Sequence, residues 1–169
     1  VGTSKVAAQL ETGAGRHEIV ITADNRFAFI SNHDAGTDSV IDVAKLEKIK
    51  DVKVGPNPVS LAISELSKAV YAVTDDSVAV INTEGEVRAS IKSKPGVRTV
   101  RFAPGGRYGF LVNTAASTVT IFDTASNRVL HEIKVGKALN RFSELHGFFL
   151  RFHILFNILR YDPVHPLLF

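Results

Sequence analysis

Apolar and polar residues alternate with period two through most of the first 136 positions, and the alternating runs return at a fixed interval. Three stretches align: IVITADNRFAFISN from Ile19 to Asn32, LAISELSKAVYAVT from Leu61 to Thr74, and VRFAPGGRYGFLVN from Val100 to Asn113. Each reads as a short strand, a four-residue turn closing on Arg26, Lys68 or Arg107, and a second strand holding Phe29, Tyr71 or Phe110. A third strand follows in Ser39 to Asp42, Val78 to Asn82 and Val119 to Asp123. A fourth follows in Ile49 to Gly55, Val87 to Ser93 and Val129 to Gly136. The turns carry residues that accept positive φ, as in Ala23-Asp24-Asn25-Arg26 and Pro104-Gly105-Gly106-Arg107. Asp42, Asn82 and Asp123 recur at one point of the unit, which marks them as turn formers and not as catalytic groups.

Four strands per unit and a period of about 40 residues fall in the range of propeller blades. The expected fold is therefore all-β, a partial β-propeller of about three four-stranded antiparallel blades. The blades span residues 13–54, 55–93 and 94–136. Val6, Leu10 and Gly13 repeat the spacing of Val129, Ile133 and Gly136, so residues 1–12 read as the outer strand of a preceding blade. One such blade is too thin to bury both faces, so blades must stack face to face to make a core, and the open sides need cover.

The repeat also resembles that of a known family. Gly55-Pro56-Asn57-Pro58, Val70-Tyr71-Ala72-Val73-Thr74, Phe122-Asp123-Thr124 and Ile133-Lys134-Val135-Gly136 are similar to the YVTN-type β-propeller repeat, over residues 1–137. That family is similar in turn to the haem d1 propeller of nitrite reductase and to quinoprotein dehydrogenase propellers. The resemblance implies an incomplete propeller from a larger periplasmic or cell-surface protein, a cofactor-free scaffold that binds a protein or a small ligand at its loop face. It leaves open a fragment of a propeller enzyme or cofactor carrier, either a haem d1- or quinoprotein-like oxidoreductase or a lactonase. In the oxidoreductase case haem d1 or PQQ would sit at an axis that needs more blades than these.

The pattern stops near Lys137. Residues 139–169 hold six of the eleven Phe, seven Leu and three of the six His, but no Thr and a single glycine, Gly147. Residues 137–169 are thus expected to form a non-repeat apolar tail, and three readings compete. A helix with Phe148, Phe152, Leu155, Phe156 and Leu159 on one broad face, and Leu150 at its margin, would cap the edge of the last blade. A frameshift near Lys137 would leave a tail selected for nothing. A membrane segment is argued against by its shortness and by Arg151, His153 and Arg160.

Composition narrows the chemistry further. The absence of cysteine excludes a disulfide framework, a Cys-ligated zinc or iron–sulfur centre, a thiol nucleophile and a haem c attachment motif. A net charge of +3, with basic and acidic side chains spread along the chain, is no nucleic-acid signature. The chain opens without an initiator Met or a signal-peptide pattern, which suggests a processed or truncated product. No phosphate-binding loop, Rossmann fingerprint, His-Glu-x-x-His or Gly-x-Ser-x-Gly occurs.

Propeller topology places the loop entering a first strand and the loop joining second and third strands at one end of the blade. In the first blade these are Gly13 to Glu18 and Asn32 to Gly36, which gathers Arg16, His17, His33 and Asp34 as candidate ligand-binding residues. His33 oriented by Asp34 has the parts of a general base, and His17 with His33 and Asp34 the parts of a sparse ligand set. Against this, Val59 and Arg98 stand at the His17 position of the next blades, and Asp75 and Thr114 at that of His33. On that reading His17 packs at a strand entrance and His33 is a solvated loop residue. Arg98 completes the candidates: with Arg16 and Arg101 it would give the channel mouth a positive rim suited to carboxylates, unless inter-blade ion pairs consume these arginines. No catalytic or metal-ligating residue is assigned, and open blade edges are expected to favour self-association.

Overall fold

The computed structural model describes residues 5–135. Every regular element among them is a strand, in three four-stranded sheets. The first blade contains β1 (Ile19–Ile21), β2 (Phe27–Asn32), β3 (Thr37–Asp42) and β4 (Glu47–Lys53). The second contains β5 (Ser60–Ile63), β6 (Val70–Val73), β7 (Ser77–Ile81) and β8 (Val87–Lys92). The third contains β9 (Val97–Phe102), β10 (Tyr108–Asn113), β11 (Thr118–Asp123) and β12 (Arg128–Lys134). Each sheet is an antiparallel meander in chain order, the arrangement expected of a partial propeller. Residues 5–12 join no strand, and the sheet they would extend is not among the described residues. The proposed tail, residues 137–169, lies outside the described residues.

Alternation dictates how the blades stack. Phe29 pairs with Val40, Tyr71 with Val80 and Phe110 with Ile121, so each second-strand aromatic meets a β-branched residue on one face of its sheet. In the first blade this forward face carries Val20, Phe27, Phe29, Val40 and Val52. It packs on Leu61, Ile63, Val70, Ala72, Ala79 and Ile81, the rear face of the second blade. The second blade's forward face, with Tyr71, Val73, Val78, Val80 and Ile91, packs on Val100, Phe102, Leu111 and Phe122 of the third. Two seams between blades are thus part of the core among the described residues, and each large apolar side chain removed from water there contributes about 1.5–3 kcal/mol.

Other features also repeat by blade. The register of the outer strand against the third shifts by one residue between Val40 and Ile41, Val80 and Ile81, and Ile121 and Phe122, a β-bulge at the same point each time. Arg26 and Arg107, which close the first turns, lay their guanidinium groups 5.1 Å from the Phe27 ring and 5.5 Å from the Tyr108 ring. Asp42 Oδ1 accepts the Lys45 N–H, Asn82 Oδ1 that of Glu86, and Asp123 Oδ1 those of Ala125 and Ser126. The recurrent Asp/Asn is a turn former. These turn bonds hold the Asp42 and Asp123 carboxyls below the usual carboxylate range.

Candidate functional site

The end of each blade that bears the loop joining second and third strands is closed in the same way. The amide of Asp34 donates to Ala14 O, that of Asp75 to Pro56 O, and that of Thr114 to Gly96 O, tying the entry loop to the next turn. The entry loop of the first blade comes so close that a Cβ on Gly15, at φ +106°, would sit 2.5 Å from the Asp34 nitrogen.

On this frame the structure assembles three of the predicted residues. A nitrogen of the Arg16 guanidinium lies 3.4 Å from His33 Nε2, and His33 Nδ1 lies 2.7 Å from Asp34 Oδ1. An arginine only donates, so Nε2 accepts and the ring proton sits on Nδ1, donated to Asp34. His33 is thereby a neutral link in a chain Arg16–His33–Asp34, and the His33 amide donates to Arg16 O. Asp34 is mostly exposed and Arg16 is exposed, so unused guanidinium N–H groups and a carboxylate oxygen face solvent.

The other two candidates are not part of this chain. His17 turns its Nδ1 to the Ser31 carbonyl at 2.7 Å, a bond that pins the entrance of β1. Arg98 is exposed on β9, two blades away, and no contact among the described residues connects it to the trio. Arg101 donates to Val100 O. Charged pairs among the described residues include ones within a single blade, as between Lys94 and Glu132 in the third.

Sequence reasoning passed over two acidic residues. Glu18 reaches across the first seam, where its Oε2 accepts the amide of Leu61 at 2.7 Å. Asp38, in β3, is fully buried, and neither carboxylate oxygen has a hydrogen-bond partner. Among the described residues no three His, Asp or Glu side chains come together as a metal cluster.

Stacked four-stranded meanders with repeated turn chemistry define a partial β-propeller. Solved structures of that class resemble it. Hydrazine synthase of Kuenenia stuttgartiensis superposes with a TM-score of 0.67 at 17% identity, over 80% of this chain and 40% of that one. A candidate 6-phosphogluconolactonase of Bacteroides fragilis gives 0.64 at 21% identity, over 77% and 42%. The periplasmic gluconolactonase of Pseudomonas aeruginosa gives 0.60 at 19% identity, over 74% and 41%. The chain spans about two fifths of the length of these proteins. No family model and no curated protein matches it.

Proposed function

We propose that the chain belongs to a YVTN-type propeller that serves as a non-enzymatic binding scaffold, periplasmic or on the cell surface. Its partner, a protein or a small polar ligand, meets the blade ends that carry Arg16 and Asp34. The observation that carries this reading is how the trio is used. Both ring nitrogens of His33 are engaged by neighbours in its own blade, and the exposed donors and acceptors left over suit recognition more than proton transfer. Self-association through open blade faces belongs to the same reading.

A second reading is favoured by two of the structural neighbours, which are described as lactonases. It makes this chain part of a sugar-lactone hydrolase, with Asp34 orienting His33 once Arg16 swings away from Nε2. The haem d1 or PQQ alternative rests on the resemblance: among the described residues His33 spends both ring nitrogens on Arg16 and Asp34, and His17 spends Nδ1 on the Ser31 carbonyl. One set of measurements separates the three. The full chain is incubated in turn with gluconolactone, haem d1, PQQ and divalent metal ions while hydrolysis, absorbance and melting are followed. The scaffold reading expects hydrolysis at the buffer rate and no ligand-induced rise in Tm. Lactone turnover that is lost in His33→Ala would establish the hydrolase instead, and a saturable Tm rise with haem d1 or PQQ the cofactor carrier.

A further inference from the structure

The buried acid of the first seam stands out when the blades are compared row by row. One transverse row of the first blade's forward face reads Glu18, Ser31, Asp38 and Val52 across its four strands. The same row reads Ser60, Val73, Val78 and Ile91 in the second blade, and Thr99, Val112, Val119 and Ile133 in the third. Asp38 therefore occupies a core valine position. Its strand partner Val52 belongs to the apolar seam that also holds Val54 and, from the next blade, Leu61, Ala72 and Ala79.

We propose that Asp38 makes the first inter-blade seam a proton-controlled joint, closed and valine-like while the carboxyl is protonated, loosened when it ionises. The joint is linked to the proposed ligand end through the chain: Gly36, two residues before Asp38, accepts the amides of Val54 and Gly55 and closes the loop that carries His33 and Asp34. Loosening the seam frees that closure.

Among the described residues no facing charge offsets an ionised Asp38. Glu18, at the inner end of its row, is itself an acid and spends an oxygen on Leu61. Lys50, two residues from Val52 on β4, extends over Gly85 of the second blade. The loop after β6 brings two more acids, Asp75 and Asp76, and Lys92 lies on the outer strand β8. Burial alone pushes the Asp38 carboxyl up, to about 7. An unfolded aspartate releases its proton near pH ~4. Between these values the folded chain holds one proton more than the unfolded chain, so stability falls as pH rises through that window and levels above it.

The test compares full-length wild type with Asp38→Val and Asp38→Asn by denaturant unfolding from acidic to mildly alkaline pH. Relative to either variant, the wild-type folding constant is expected to fall by up to about tenfold per pH unit between about 4 and about 7. Backbone exchange at Val54, Gly55 and Leu61, corrected for intrinsic rates, should quicken above pH ~7 in wild type and not in the variants. The carboxyl carbon shift of Asp38 gives a readout that needs no variant, with its midpoint expected near neutrality. Parallel wild-type and Asp38→Asn profiles, or a midpoint in the ordinary carboxylate range, would overturn the proposal.

Discussion

Leu46 holds a φ of 55° in the turn between third and fourth strands, where the equivalent residue of the third blade is Asn127, also at 55°, and the shorter loop of the second blade uses Gly85 at 74°. The left-handed conformation presses a Cβ toward the following carbonyl, a strain that asparagine and glycine tolerate and leucine does not. Leu46 remains 42% exposed, so its packing offsets only part of that strain. Leu46→Asn is expected to stabilise the fold by about 1 kcal/mol, a Tm rise of about 2–4 °C in a thermal melt. The reverse change, Gly85→Ala, should lower Tm, since its Cβ would also press on Lys50 and Val40. A fall in Tm for Leu46→Asn would mean that the leucine packs more usefully than its exposure implies. Asp42 and Asp123 show why this scale was legible beforehand: turn chemistry depends on local backbone needs, and a residue type recurring at one place in each unit reports them directly.

Strands and their pairing were legible for a related reason. Period-two alternation is a property of a single strand, and in-register repetition fixes which strands pair. What binds one blade to the next was less so, because it depends on residues that break the repeat. Third strands begin at Thr37, Ser77 and Thr118, but in the first blade the alternation is legible only from Ser39, since an acid at position 38 reads as loop. Asp38 was missed for that cause and Glu18 because it reads as the end of the entry loop, and the bulges beside Ile41, Ile81 and Phe122 leave no mark in the apolar pattern. Of the site, proximity of Arg16, His33 and Asp34 followed from topology, whereas the diversion of His17 to a carbonyl and the isolation of Arg98 depended on side-chain direction. Tyr71 is the clearest seam anchor. It stands where the other blades have phenylalanine, its ring lies 5.0 Å from Phe102 and 5.6 Å from Phe122, and burial raises its phenol pKa. Its hydroxyl donates to Asn127 Oδ1 at 3.1 Å across the second seam. Tyr71→Phe keeps the ring and removes that bond, so it should cost about 1 kcal/mol in denaturant unfolding. An unchanged midpoint would show that the phenylalanine of the other blades serves as well here.

At the scale of the whole molecule, the decisive contrast lies between equivalent positions on the rear faces of the blades. Ile19, Leu61 and Val100 occupy the same place on the first strands, yet Leu61 is 2% exposed, Val100 0% and Ile19 58%. Ile21, two residues along, is 51% exposed. In the second and third blades the surface that covers this place is the forward face of the blade before. The first blade's rear face therefore presents apolar side chains built for a blade-like partner, and such a surface promotes association in water. Covering the exposed half of each isoleucine would contribute about 1–1.5 kcal/mol, enough together to make self-association measurable without fixing its stoichiometry. Sedimentation velocity should show wild type shifting to larger species as concentration rises. The double variant Ile19→Lys, Ile21→Lys, which leaves both described seams intact, should stay smaller at the same concentrations. A wild type that sediments as one monomeric species throughout would remove the argument for this face. Association that persisted in the lysine pair would place the adhesive surface elsewhere on the chain.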